Sequence, residues 1–178
     1  MPAAGSARSR LPTLEGPAYP AGAVGVDRFS HLGLCVADLE RSLRFYRDVL
    51  GFRERSRLDV AGAHADRLLA LPGVKLRAIY LERDGLRLEL LHFDSPAAPG
   101  SAPAARPMNA LGLTHLSLRV SDVDALLARI VAAGGRVLDA TRINLPPAST
   151  VALFVTDPDG TRIELVQAPG DPAKVPGE

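Results

Sequence analysis

Two stretches of this chain alternate apolar and polar residues, and a histidine lies near the start of each. The stretches are residues 29–36 and 113–120. A period of two is typical of a β-strand with one buried face. The residues on that face are Leu32, Leu34 and Val36 in the first stretch, and Leu116, Leu118 and Val120 in the second. His31 and His115 have the opposite parity, so we expect their side chains on the other face of each strand.

Each alternating stretch is followed by the pattern of a helix and of three further strands. Asp38 and Asp122 are placed to cap the two helices, and the glycines beyond each helical pattern end it. The Asp-Gly pairs at 84–85 and 159–160 predict hairpin turns. The remaining strands are predicted at 53–60, 74–82 and 86–93, and at 136–140, 150–156 and 161–167, with a short helix at 64–71.

The two halves of this periodic region repeat one another. The segment HLGLCVADLE, which starts at His31, matches HLSLRVSDVD, which starts at His115. Near the end of each half, DGLRLEL from Asp84 matches DGTRIEL from Asp159. Such self-similarity indicates a duplicated structural unit. The sequence therefore predicts an α+β fold of two tandem βαβββ modules.

Composition divides the rest of the chain. Residues 1–26 are rich in Ala, Gly and Pro and predict a flexible leader. Residues 94–109 form a predicted linker and residues 168–178 a flexible tail. The first module is then expected at 27–93 and the second at 110–167.

The repeat also places two histidines and two glutamates on corresponding strands. Glu89 and Glu164 lie on the last strand of each half, with a parity opposite to that of the neighbouring apolar residues. If the modules pack about a pseudo-two-fold axis, His31, His115 and these glutamates converge. Imidazole nitrogens and carboxylate oxygens suit a divalent cation, and the two carboxylates balance its charge. Because the set has no thiolate, structural zinc is not the natural interpretation.

Composition narrows the classes of partner. Lys and Arg number 21 and Asp and Glu 20 among 178 residues, so no strong field would attract nucleic acid or an anionic membrane. No apolar run approaches the roughly 20 residues that span a bilayer. Cys35 is the only cysteine, which excludes an intramolecular disulfide, and the N-terminus lacks the apolar core of a signal peptide. These features predict a cytoplasmic protein without nucleic-acid or membrane partners.

The chain resembles the vicinal oxygen chelate superfamily, which includes glyoxalases, bleomycin resistance proteins and extradiol dioxygenases. The similar segments are FSHLGLCVADLERSLRFYRDVLGF and LRLELL in the first half, and LTHLSLRVSDVDALLARIVAAGG and FVTDPDGTRIELV in the second. The resemblance implies a partly open barrel-like sheet around a metal site. It also implies one divalent metal ion, Ni, Co, Zn, Mn or Fe, whose ligands would be His31, Glu89, His115 and Glu164. A homodimer that acts on a small-molecule substrate is a further implication.

The ligand set distinguishes branches of this family. Bacterial glyoxalase I uses two histidines and two glutamates, whereas extradiol dioxygenases use two histidines and one glutamate on iron. The resemblance therefore implies a glyoxalase-I-like lyase or isomerase, which moves a proton through a metal-stabilised enediolate on a small α-oxygenated carbonyl substrate. Glu164 is the preferred base and Glu89 the second candidate. Three alternatives stay open: an Fe(II) extradiol-type dioxygenase, an enzyme like methylmalonyl-CoA epimerase, and an antibiotic-resistance protein that binds a ligand.

Four more residues are assigned to the substrate-binding surface: Arg119, Cys35, Ser117 and Phe93. Cys35 and Phe93 occupy the places where glyoxalase I has the Arg and Asn that hold glutathione, so the usual recognition of glutathione is not expected. Arg119 has the corresponding place in the second module. We expect it to bind an anionic group of the substrate, the alternative being a structural ion pair.

Oxygen chemistry would recruit a further histidine or tyrosine near the metal, and His64, His92 and Tyr80 are the candidates. His92 has the parity of Leu88 and Leu90 and should point away from Glu89. Tyr80 is as readily explained as a core residue.

Overall fold

The structure is a computed structural model that describes residues 25–99, 106–146 and 149–174. Residues 1–24 of the predicted leader, 100–105 of the linker and 175–178 of the tail therefore lie outside the description. The chain divides into two compact units, Met1–Ser30 and His31–Glu178. In the first unit, residues 25–30 are exposed and contain no helix or strand. All helices and strands described below belong to the second unit.

The elements follow one another as the repeat predicts. The first module contains β1 (Leu32–Cys35), α1 (Leu39–Arg44), a π-helical turn (Phe45–Val49), β2 (Arg53–Ala61), α2 (Ala63–Leu69), β3 (Lys75–Arg83) and β4 (Leu86–Ser95). The second contains β5 (Leu116–Arg119), α3 (Val123–Ala132), β6 (Arg136–Leu145), β7 (Thr150–Thr156) and β8 (Arg162–Gln167). No helix in the described part of the chain is long and apolar enough to cross a membrane.

Each module forms its own four-stranded mixed sheet. The strand orders are β1-β4-β3-β2 and β5-β8-β7-β6, and in each sheet the first strand is parallel to the last one of its module. This arrangement confirms the α+β fold of two βαβββ modules. Within the described residues no strand pairing joins the two sheets, so they are not closed into a barrel.

Both main helices begin at the predicted aspartates. The Asp38 carboxylate accepts a hydrogen bond from the backbone N–H of Arg41 at 2.9 Å, and Asp122 accepts one from that of Ala125 at 3.0 Å. The last turn of the first helix, Phe45–Val49, is π-helical and not α-helical. The extra residue in that turn lets both aromatic neighbours, Phe45 and Tyr46, lie fully buried.

The modules share one hydrophobic core. Leu88 and Leu90 of β4 and Ile163 and Leu165 of β8 are all 0% exposed and belong to one cluster with the helices. Side chains alternate between the two faces of a strand, so the faces that carry Glu89 and Glu164 turn away from this common core. Sequence periodicity identifies the buried face of each sheet, but the shared core decides where the open faces point.

At Gly135 a side chain would collide with residues of both modules. A Cβ atom at this position would lie 2.5 Å from the carbonyl oxygen of Thr156, 2.7 Å from Ile130 Cγ2 and 3.0 Å from Phe45 Cε2. A backbone oxygen at that distance cannot move aside cheaply, so only glycine fits.

The loop before β8 binds the second module to the first through two carboxylates. Tyr46 Oη donates a hydrogen bond of 2.9 Å to Asp157, and both groups are buried. The same carboxylate accepts the backbone N–H groups of Asp159 and Thr161. Asp159 in turn forms a salt bridge with Arg41. The sequence predicts only a hairpin turn here, whereas the structure shows a turn whose acidic side chains contact the first module's helix.

Candidate metal centre

The first histidine and glutamate form a close pair on the open face of the first sheet. His31 precedes β1, and Glu89 lies on β4, which is paired with β1 in parallel. The distance from His31 Nε2 to Glu89 Oε2 is 3.1 Å, and the side chains are 33% and 12% exposed. Tyr80 of β3 lies directly across from Glu89, and its ring packs edge-on against His31 with centroids 5.4 Å apart. A hydrogen bond to Glu89 raises the pKa of Tyr80 to about 12.

The second module repeats this pair with different neighbours. His115 Nε2 lies 3.7 Å from Glu164 Oε2, and the side chains are 27% and 30% exposed. Ser117 Oγ donates a hydrogen bond of 2.7 Å to Glu164. Phe154 takes the position of the tyrosine and packs edge-on against His115, with centroids 5.2 Å apart.

The two pairs therefore receive their hydrogen-bond donors from opposite sides. Glu89 has Tyr80 on β3 as its donor, and its other neighbour across the strands, Gly33, has no side chain to offer. Glu164 has the reverse arrangement, with Ser117 of β5 as its donor. The sequence analysis considers Tyr80 only for oxygen chemistry or as a core residue. Its contact with Glu89 is not predicted, because the pairing register of β3 and β4 cannot be read from either strand alone.

One chain does not bring the four predicted ligands together. Among the described residues, no group of three or more His, Cys, Asp or Glu side chains is close enough to hold a metal ion. The reason lies in the shared core, because the two open faces point away from it.

Each pair by itself nevertheless fits half of a metal site. With metal–ligand bonds of about 2.1 Å, two ligands at a right angle lie about 3 Å apart. The nitrogen–oxygen distance of the His31–Glu89 pair matches this spacing, and that of the His115–Glu164 pair exceeds it by less than 1 Å. A divalent cation would need both pairs to complete four protein ligands.

The residues predicted to bind substrate have diverse surroundings. Ser117 holds Glu164, and Phe93 packs against the small apolar cluster under α2. Cys35 is an exposed residue. Partial desolvation of its thiol, together with the negative charge of Asp159, raises the pKa of the thiol. A raised thiol pKa does not suit a nucleophile at neutral pH.

Arg119 makes contacts that its sequence position does not predict. Its guanidinium donates hydrogen bonds to the backbone carbonyls of Ala168 and Pro169, at 2.6 and 2.7 Å, rather than to a carboxylate. Among the described residues Arg119 has no carboxylate partner, so the alternative of a structural ion pair is not seen there. Whether Arg119 contacts substrate stays a prediction.

The remaining histidines lie apart from both pairs. His92 Nδ1 is 3.2 Å from the carbonyl oxygen of Val36 and its Nε2 is 3.4 Å from Asp94, in agreement with the predicted orientation away from Glu89. His64 is exposed on α2.

The sequence is similar to those of a known protein family. The sequence matches the profile of the Glyoxalase/Bleomycin resistance protein/Dioxygenase superfamily over residues 28–165. A lactoylglutathione lyase of Neisseria meningitidis is 33% identical over 141 residues, which cover 79% of this chain and 90% of the relative. An ethylmalonyl-CoA/methylmalonyl-CoA epimerase of Cereibacter sphaeroides is 29% identical over 146 residues, which cover 80% of this chain and 98% of the relative.

Solved structures show the same fold. A glyoxalase family protein from Bacillus cereus superposes with a TM-score of 0.71 at 20% identity, and the match covers 85% of this chain and 100% of the other. The profile match extends over most of the chain and includes both His–Glu pairs. The chain therefore belongs to the Glyoxalase/Bleomycin resistance protein/Dioxygenase superfamily.

Proposed function

We propose that this protein is a divalent-metal-dependent enzyme that moves a proton between adjacent carbons of a small α-oxygenated carbonyl compound. The observation that carries the proposal is the pair of matching His–Glu contacts on equivalent strands of the two modules. Packing alone does not explain a glutamate beside a histidine at both places, because a partly buried carboxylate needs a partner to offset its desolvation.

We further propose that two chains complete each metal site. One chain supplies His31 and Glu89, and a second chain supplies His115 and Glu164. In the described residues β1 pairs only with β4 and β5 only with β8, so each sheet has an unpaired edge next to its histidine. An edge strand is ready to meet another chain. A two-fold dimer that joins these edges would create two equivalent sites.

The chain's own groups define the proton transfer. A divalent ion, when bound, polarises the substrate carbonyl and stabilises negative charge that develops on its oxygen. Glu164 is the proposed base, because its side chain is 30% exposed and lies 3.7 Å from its histidine, compared with 12% and 3.1 Å for Glu89. The Ser117 hydroxyl, 2.7 Å away, orients the Glu164 carboxylate. Glu89 is held more tightly between His31 and Tyr80 and serves as a ligand.

Two relatives suggest which substrates to test first. The lactoylglutathione lyase has the higher identity and favours a hemithioacetal, although Cys35 and Phe93 argue against the usual contacts to glutathione. The acyl-CoA epimerase is nearly as similar and matches over almost its whole length, which supports an acyl-thioester as the second candidate. Both reactions remove a proton from the carbon next to a carbonyl group, so both fit the same base.

The direct test combines metal analysis with a substrate panel. Protein purified without added ions and then loaded with Ni, Co, Zn, Mn or Fe is expected to bind about one ion per chain. It should convert a hemithioacetal or an acyl-CoA, or exchange the proton on the reacting carbon with deuterium from solvent. Oxygen uptake with a catechol and ferrous ion would instead indicate dioxygenase chemistry. Stoichiometric binding of an antibiotic without metal or turnover would contradict the proposal in favour of a resistance protein.

The assignment of the base has its own test. Glu164→Gln is expected to lower kcat by about 10²-fold or more while the metal stays bound, because the amide cannot accept the proton. Glu89→Gln is the matched control and should weaken metal binding more than it lowers the kcat of the loaded enzyme. Full activity of metal-loaded Glu164→Gln would show that another group is the base.

A further inference from the structure

A cavity of about 310 Å³ lies between the two modules, outside both His–Glu pairs. Val49, Leu50 and Arg83 line it from the first module. From the second module it is lined by residues of β5, of the loop after β5 and of α3, among them Arg119 and Arg129. Its volume equals that of about ten water molecules in the liquid and reaches the lower end of the range for small-ligand pockets.

Three of the residues that line the cavity are arginines, and backbone carbonyls satisfy much of their hydrogen bonding. Arg129 donates to the carbonyl of Asp48 at 2.5 Å, and Arg83 donates to that of Leu50. Arg119 binds the two carbonyls in the tail. A carbonyl accepts a hydrogen bond but does not neutralise the charge, so these contacts orient the guanidinium groups and leave their positive charge largely in place.

Few carboxylates compensate this charge. Asp122 is the only acidic residue among those that line the cavity, and its carboxylate caps α3. Arg83 also contacts Asp84, whose side chain is 86% exposed at the turn between β3 and β4 and is therefore well solvated. Three arginines against one lining aspartate leave the cavity with a net positive charge.

We propose that this cavity binds a phosphate-bearing anion, and that a diphosphate group fits it best. Guanidinium groups from β3, β5 and α3 would bind the oxygens from three directions, and planar guanidinium groups match phosphate oxygens well. The site does not depend on the metal, because none of the four proposed ligands lines the cavity. Since its walls come from both modules, a bound diphosphate would also link them.

The test is a calorimetric titration of the full chain, as purified, with inorganic pyrophosphate. Saturable binding is expected, and each of Arg119→Gln and Arg129→Gln should weaken it by about tenfold or more, since each removes a charge-assisted contact. Arg67→Gln is the matched control, because Arg67 is an exposed arginine on α2 that does not line the cavity. Backbone amide signals of Ser121 and Asp122 should shift as pyrophosphate is added.

Three outcomes would overturn the proposal. One is the absence of saturable binding, and another is an equal loss of affinity in Arg67→Gln and Arg129→Gln, which would indicate only general attraction to a surface. The third is loss of binding in His115→Ala, because the pyrophosphate would then bind through a resident metal ion. Equal affinity for inorganic phosphate would overturn the choice of a diphosphate. Folding of each variant is checked by its thermal unfolding midpoint.

Discussion

A heterodimer of two variants that cannot bind metal by themselves is expected to regain one complete metal site. The first variant is His31→Ala with Glu89→Gln, and the second is His115→Ala with Glu164→Gln. If each site takes one pair from each chain, both intact pairs meet at one site of the heterodimer and both altered pairs meet at the other. The heterodimer should then bind about one divalent ion and show about half of the wild-type activity.

The measurement uses co-expressed chains with two different affinity tags, so that only heterodimers are retained. Metal content is the primary readout because it needs no known substrate. Each variant, purified as a homodimer, is the control and should lose at least about 10²-fold in metal affinity, since half of the ligands are missing from both of its sites. A folded heterodimer without metal would show that the sites are not shared between chains.

Replacement of Asp157 is expected to have the largest effect on stability. Asp157→Ala would leave three donors without their acceptor: the hydroxyl of the buried Tyr46 and the backbone N–H groups of Asp159 and Thr161. Each buried donor that loses its partner costs about 1–3 kcal/mol, so we expect the free energy of unfolding to fall by about 3 kcal/mol or more. Urea denaturation measures this change.

Two milder variants serve as controls for Asp157→Ala. Tyr46→Phe removes one donor and should cost about 1–2 kcal/mol. Asp157→Asn keeps an oxygen for the two N–H groups and offers its own N–H to the tyrosine oxygen, so it should lie between the wild type and Asp157→Ala. A loss below about 1 kcal/mol in Asp157→Ala would mean that the carboxylate does not hold the two modules together.

Asp157 is also expected to make the stability of the folded protein depend on pH. Burial raises the pKa of Asp157 above its ordinary value, and its hydrogen bonds oppose this only in part. The folded protein therefore binds the proton more tightly than the unfolded chain. This contribution to stability is complete below about pH 4 and is lost as the pH rises through the raised pKa. Asp157→Asn cannot titrate, so its stability relative to the wild type should improve as the pH increases over that range.

Much of the fold can be predicted from the sequence because the chain repeats itself. The two-residue period around His31 and Glu89 identifies which side of each strand is buried, and burial of Leu88 and Leu90 confirms it. The same period does not show what the buried side packs against. A strand whose leucines contact the other module looks identical in sequence to one that only covers its own helix.

Other features of the fold and of the candidate site depend on contacts that leave no pattern in the sequence. The π-helical turn that buries Phe45 beside Tyr46 breaks the regular helical period. The helical spacing of Leu39, Leu43 and Leu50 therefore indicates Tyr46 as a buried residue but not Phe45. Arg119 binds backbone carbonyls, which every residue possesses and no motif marks.

The difference between Tyr80 and Phe154 bears on which of the two glutamates faces the reacting carbon. Two identical halves would form a site with exact two-fold symmetry, and such a site would accept a small substrate in two orientations with equal affinity. Here a phenol supports one glutamate and a serine hydroxyl supports the other, from opposite neighbouring strands. In a site that combines the two pairs, the orientations differ in energy. The reacting carbon would then lie beside the same glutamate in every turnover, so one carboxylate would act as the base and the other only as a ligand.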